Sequence, residues 1–139
     1  MSAPESLLLR ACKGLPVDRT PVWLMRQAGR YMSEYRAVRK QHSLIEICKK
    51  PSLAAEVTIT AAEILKVDAA IIFADLLLPL EVMGLPFRFS AGEGPVIEKP
   101  LRTGDDVARL STKSAYELGY VAEAVRLVAA HFDSKIPVI

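Results

Sequence analysis

Two arginines four residues apart, Arg26 and Arg30, flank the tripeptide Gln27-Ala28-Gly29 directly after the apolar run Pro21–Met25. A guanidinium presents a rigid fork of donors that matches a carboxylate or phosphate through two parallel hydrogen bonds. Two of them beside a glycine therefore suit an anionic ligand, with Gly29 allowing close backbone approach or a positive φ. Basic residues at the start of the helix expected from Tyr31 would oppose its macrodipole, so helix stability does not explain them. The plainer alternative is a solvated helix start carrying ordinary surface arginines. Asp75 is the second candidate. It follows six apolar residues, Ala69–Ala74, where it would act as a catalytic carboxylate, cap the next helix or pair with an arginine.

The remaining polar motifs offer less. Gly92 and Gly94 form a Gly-x-Gly in which Pro95 stands where a nucleotide-binding helix should begin. His42 and His131 lack metal-ligand spacing and fit helix ends. Trp23, Tyr31 and Tyr35 fit either a pocket wall or core. Net charge is only +2, so no basic field favours nucleic acid or a membrane surface, and an anion site must come from local clustering. No run approaches the roughly 18 apolar residues of a membrane span. Cys12 and Cys48 form no CxxC pair and read as free thiols of a reducing compartment. The N-terminus has no signal-peptide pattern. These features together predict a cytoplasmic protein.

The elements that must position these groups alternate. Ser2–Gly14 reads as a helix with Ser2 and Glu5 at capping-box spacing. Pro21–Met25 reads as a buried strand. Helices are predicted over Tyr31–Gln41, with Tyr31, Tyr35 and Val38 on one face, and over Ser43–Lys49. The next begins near Pro51 and carries the stripe Leu53, Val57, Ala61, Ile64 and Leu65. Ala69–Ala74 is a second buried strand. Pro79, Gly84 and Pro86 break the stretch after Asp75, and Phe87–Leu101 reads as a hairpin or irregular loop. Thr103 caps a helix over Asp105–Leu110. A long helix then presents Leu118, Val121, Val125, Val128 and Phe132, and Ile136–Ile139 begins a third strand. Buried parallel strands alternating with helices define an α/β fold. The generous spacing favours a (β/α)8 barrel, of which residues 1–139 would be the truncated N-terminal part holding about three strands. On a barrel, Arg26, Arg30 and Asp75 all fall at the C-terminal rim of strands, where active sites are built.

The run PVWLMRQAGRYMSEYRAVRK resembles the N-terminal signature of the uroporphyrinogen decarboxylase family, approximately PVWxMRQAGRYxxEYRxxR. DAAIIFADLLLPLEVMGL resembles the second signature, with Ala74 where the family usually has serine. GEGPVIEKPLRT and ELGYVAEAVRL are similar to the continuation in the same order, so the resemblance spans Leu7–Ile139. It implies a cytoplasmic homodimeric TIM barrel that removes carbon dioxide from the four acetate side chains of uroporphyrinogen III, giving coproporphyrinogen III without metal or organic cofactor. It also implies that Asp75 stabilises the developing pyrrole cation and that Arg26 and Arg30 bind substrate carboxylates, Arg26 also serving proton delivery through a bound solvent or acid. By the same resemblance Gln27 and Ala28 line the pocket through their backbone and Phe73 through its ring. Ala74 removes a hydroxyl beside Asp75. The family's later tyrosine, serine and histidine do not occur in this chain, which raises the alternative of a catalytically incomplete fragment. A related corrinoid-dependent methyltransferase would lack the RQAGRY motif.

Overall fold

Capping chemistry places most of the helices. In the computed structural model, which describes residues 5–90, 94–133 and 135–139, Ser6 accepts the Leu9 N–H and starts α1, Leu7–Cys12. This shortens the helix expected from the sequence, and Ser2, its expected cap, lies outside the described residues. Helix α2, Ser33–Gln41, has no side-chain cap. Helix α3, Leu44–Lys49, opens with a full capping box between Ser43 and Glu46, a reciprocal satisfaction of two backbone donors. Pro51 occupies the first turn of α4, Pro51–Leu65, which ends at Lys66 in the left-handed region.

The described residues divide into two compact units, one running up to Ala74 and resuming over Tyr120–Ile139, the other Asp75–Gly119. In the first unit, α4 has two buried sides. Val57 and Ala61 pack with Met32, Tyr35 and Ile47, while Ala55 and Ala62 pack with Val67, Ala70 and Val128. Val128 comes from α7, Gly119–Phe132. Two expected stripe positions face water instead, Ile64 on α4 and Val125 on α7. In each case a neighbouring alanine, Ala62 or Ala124, holds the buried position, because small residues allow the helix to approach closely.

Three extended segments carry the sheet positions. Ala70 and Ile72 donate to Pro137 O and Ile139 O (2.9 and 2.8 Å), and Ile139 donates back to Ala70 O (2.9 Å). The bridge between Ala70 and Val138 is parallel, as a strand–helix–strand crossover requires. Residues 21–25 do not form the regular strand expected. They meet the second segment at its start, where Asp68 N–H donates to Val22 O (2.7 Å).

Asp68 anchors that junction. Its carboxylate accepts two bonds from Arg19 (2.7 and 2.6 Å) and one from Val22 N–H (2.7 Å). The Arg19 guanidinium holds the Asp68 carboxyl below the usual carboxylate range; burial opposes this, and the Val22 N–H adds to the lowering. A carboxylate whose pKa is depressed by folding contributes stability above its unfolded pKa of about 3.9 and loses it as pH falls through the folded value. We therefore expect acid unfolding below about pH 4 to shift to a shallower pH dependence in Asp68→Asn. Urea titrations of both proteins at pH 3 and pH 6 check this.

In the second unit, α5, Leu78–Val82, is a single turn with Pro79 inside it. Gly84, at φ +94°, ends it, a conformation that L side chains rarely adopt. The expected hairpin is present: β1, Phe87–Ser90, pairs antiparallel with β2, Gly94–Ile97, with Phe87 opposite Ile97. Gly94 starts a strand rather than a helix, and Gly92 lies outside the described residues. Thr103 caps α6, Gly104–Ala108, through a box with Asp106. The expected long final helix is interrupted, with a 3-10 turn at Ala115–Leu118 preceding α7.

Candidate active-site loop and strand ends

Arg26 and Arg30 lie on an irregular loop over residues 25–32; α2 begins at Ser33, two residues after the expected start at Tyr31. Both arginines are exposed. Among the described residues, neither guanidinium has a hydrogen-bond or ion-pair partner. The loop beneath them is tightly held. Gln27 N–H donates to Leu24 O (3.1 Å), Met32 N–H to Gly29 O (2.9 Å), and the Tyr31 hydroxyl to Gln27 O. Arg36, in the first turn of α2, reaches back to donate to Arg30 O and Tyr31 O (2.8 and 2.9 Å). One arginine is thus spent fixing the backbone of another, a role that no spacing rule reveals.

Tyr31 departs from its expected helical face. It precedes α2, is 60% exposed, and lays its ring over Gly29. A Cβ on Gly29 would come 3.1 Å from Tyr31 Cε1. The glycine therefore makes room for that ring, and its φ is not in the left-handed region. Ala28 is half-buried and packs toward Met32, Tyr35 and Val57.

Gln27 is 1% exposed, and neither its amide oxygen nor its amide nitrogen has a hydrogen-bond partner. An unpaired buried polar group costs about 1–3 kcal/mol, whereas an apolar side chain of the same shape costs nothing comparable. Gln27 therefore costs stability at its place between Arg26 and Arg30. Gln27→Met should raise the urea midpoint of this chain, by about 1–3 kcal/mol in unfolding free energy. A lower midpoint would show that the amide is satisfied.

The second segment ends in an unusual hydrogen bond. Phe73 N–H donates not to a strand but to Thr58 Oγ1 (2.8 Å), a fully buried hydroxyl on α4 that itself donates to Ala54 O (2.7 Å). The Phe73 ring, half-buried, packs on Tyr35 with centroids 5.3 Å apart. Burial, first of all, pushes the Tyr35 hydroxyl above its ordinary value, with Arg39 opposing. Thr58→Val keeps the shape but strands the Phe73 N–H. We expect a loss of about 1–3 kcal/mol and faster exchange of that amide, with Thr58→Ser restoring both; urea unfolding and amide exchange read the result.

Asp75 opens the second unit and is half-buried, less enclosed than the sequence suggested. Its Oδ1 accepts Leu77 N–H (2.9 Å) within the turn before α5, whose start has no side-chain cap, so Asp75 does not cap that helix as the alternative expected. The other oxygen has no partner among the described residues. A carboxylate has about four acceptor sites, so the turn leaves most of its capacity open. Leu76 beside it is 95% exposed. His131 pairs with Glu63 on the surface (2.7 Å).

Parallel extended segments joined through helices, as at the Ala70–Val138 bridge, are the arrangement of a TIM-barrel-like fold. Comparison with known proteins sharpens this. The family model described as uroporphyrinogen decarboxylase (URO-D) matches residues 3–139, and the chain belongs to that family. It is 73% identical over its whole length to uroporphyrinogen decarboxylase of Koribacter versatilis, covering 40% of that protein. It is 57% identical over 134 residues to that of Solibacter usitatus and 57% over 132 to that of Sorangium cellulosum, covering 39% and 38% of them. The chain thus spans about two fifths of the length of these curated relatives. Among solved structures, a methyltransferase from Methanosarcina mazei superposes with TM-score 0.66 over 96% of this chain and 41% of its own, at 22% identity. That likeness concerns the fold alone.

Proposed function

We propose that this chain supplies the first part of the active site of a uroporphyrinogen decarboxylase, acting on uroporphyrinogen III to give coproporphyrinogen III without a metal or organic cofactor. The observation that carries the reading is the pair of exposed, unpartnered guanidiniums of Arg26 and Arg30 on a loop clamped by Arg36 and Tyr31. A substrate with eight carboxylates needs fixed cations, and a clamped loop holds them without reorganisation on binding. Family membership over residues 3–139 supports the same reading.

The chemistry needs an electron sink. A proton added to the ring carbon next to the one bearing the acetate makes the ring cationic, with positive charge on the acetate-bearing carbon. The bond from the methylene carbon to the carboxylate then breaks, its electron pair flows into the ring, and carbon dioxide leaves. A proton taken up by the methylene carbon gives the methyl group, and the ring proton is lost. One proton is consumed per carbon dioxide released. In this scheme Asp75 stabilises the cation through its open oxygen. Arg26 binds a substrate carboxylate and orients the proton source, since a guanidinium itself barely deprotonates; Arg30 binds a further carboxylate. Phe73, Gln27 and Ala28 shape the wall. We place the complete protein in the cytoplasm as a homodimer; no helix among the described residues is long and apolar enough to cross a membrane.

The test is direct. Residues 1–139 replace the matching 40% of the Koribacter versatilis relative, and the chimera is assayed with uroporphyrinogen III. We expect coproporphyrinogen III as product. A folded chimera without turnover overturns the assignment.

A further inference from the structure

Thr58 is the one polar residue among the six buried positions of α4; the others are Ala54, Ala55, Val57, Ala61 and Ala62. The helix itself does not call for it. A hydroxyl that bonds back to the carbonyl four residues earlier slightly weakens the helix it sits in, and Thr58 makes that bond, to Ala54 O at 2.7 Å. Valine would fill the same space without a polar atom. The hydroxyl is explained by its second bond, the one it accepts from Phe73 N–H at 2.8 Å.

That bond ends the second extended segment on a helix. The segment touches both others, the first at Asp68 and the third at Ala70 and Ile72, so its neighbours on both sides lie within this chain. A strand N–H ordinarily goes to an adjacent strand; that of Phe73 goes to α4. The Phe73 ring rests on Tyr35, with centroids 5.3 Å apart and planes tilted by 50°. Tyr35 belongs to the buried cluster that includes Val57, and Ala28 from the arginine loop packs against the same cluster. One turn of α4 thus serves two parts of the candidate site. Val57 supports the cluster under Ala28, and Thr58 beside it holds the Phe73 backbone. Asp75 follows Phe73 by two residues.

We propose that Thr58 is a positioning residue of the candidate site: its hydroxyl fixes the backbone of Phe73, and through it the strand end that leads into Asp75. Being fully buried, Thr58 acts only through Phe73. The inference rests on the roles given to Phe73 and Asp75 under the proposed function.

Thr58→Val, Thr58→Ser and Val128→Ala are made in the chimera with the Koribacter versatilis relative. Val128→Ala is the control. It opens a cavity on the other buried side of α4 and lowers stability without touching Thr58 or Phe73. We expect Thr58→Val to lower kcat about 10- to 100-fold, the scale of a small displacement at a reacting group, with KM little changed. Thr58→Ser should restore the rate, and Val128→Ala should keep it wherever the protein is folded. Native-state amide exchange adds a readout that needs no turnover. Leu77 N–H, which Asp75 accepts, should exchange about tenfold faster in Thr58→Val than in Val128→Ala, and at the parent rate in Thr58→Ser. Should the valine protein not fold, Thr58→Ala is read by the same two measurements. The parent kcat in Thr58→Val, a loss no larger than that of Val128→Ala, or an unchanged Leu77 exchange rate overturns the inference. A parent chimera without turnover counts against the proposed function, and Leu77 exchange then decides the role of Thr58 by itself.

Discussion

Asp75→Ala in the barrel-completing chimera should lower kcat by about 100- to 1,000-fold, the scale measured when one preorganised electrostatic group is removed from a site where charge develops. The obvious objection is structural. Asp75 also accepts Leu77 N–H, so alanine removes a turn cap together with a charge. Asp75→Asn separates the two, because an asparagine carbonyl can accept the same Leu77 N–H while the negative charge is gone. If Asp75 serves only the turn, the asparagine variant keeps its rate. If it stabilises a cation, Asn and Ala fall together, with thermal unfolding of the Asn variant close to that of the parent.

Arg26→Ala should reduce kcat/KM by about 10- to 150-fold, the worth of a charge-assisted hydrogen bond of about 1.5–3 kcal/mol. The protein should not unfold. Arg26 is exposed and its guanidinium has no partner among the described residues, and such substitutions change stability by about 0.5 kcal/mol or less. Arg26→Lys keeps the charge and loses the planar fork, so it should recover only part of the loss. Arg36→Ala is the informative neighbour. It removes the bonds to Arg30 O and Tyr31 O, so its defect should include a more mobile loop, visible as faster amide exchange over residues 29–32. Equal loop protection in Arg26→Ala and Arg36→Ala would contradict the division of labour between the two arginines.

The parts of this molecule legible in sequence are those set by local chemistry. The helix expected over Ser43–Lys49 is present over Leu44–Lys49 with Ser43 as its cap, and the cap expected at Thr103 forms. The apolar run at Ala69–Ala74 and the run at Ile136–Ile139 meet in parallel, as strands separated by helices must. The features that escaped are long-range or side-chain-to-backbone. Asp68 finds Arg19 across 49 residues, and Phe73 finds Thr58 across 15; neither pairing leaves a periodic trace. Tyr31 fits the spacing of a helical face, yet its hydroxyl is drawn to Gln27 O and its ring to Gly29, so it stays outside the helix. Pro21–Met25 has the composition of a buried strand, yet Val22, Trp23, Leu24 and Met25 are exposed.

The candidate site shows the same split. Residue types and spacing singled out Arg26, Arg30 and Asp75. The clamp that makes the arginine loop rigid and the orphaned amide of Gln27 required coordinates. The fold places a costly polar side chain beside two guanidiniums that have no partner among the described residues.

If these residues form the carboxylate-binding part of a decarboxylase, the deciding quantity is the rate of coproporphyrinogen III formation from uroporphyrinogen III by the chimera and by its Asp75→Asn form. We expect turnover by the parent chimera and a loss of about 100-fold or more in the asparagine form. Equal rates in the two, or a folded parent with no turnover, would contradict that role.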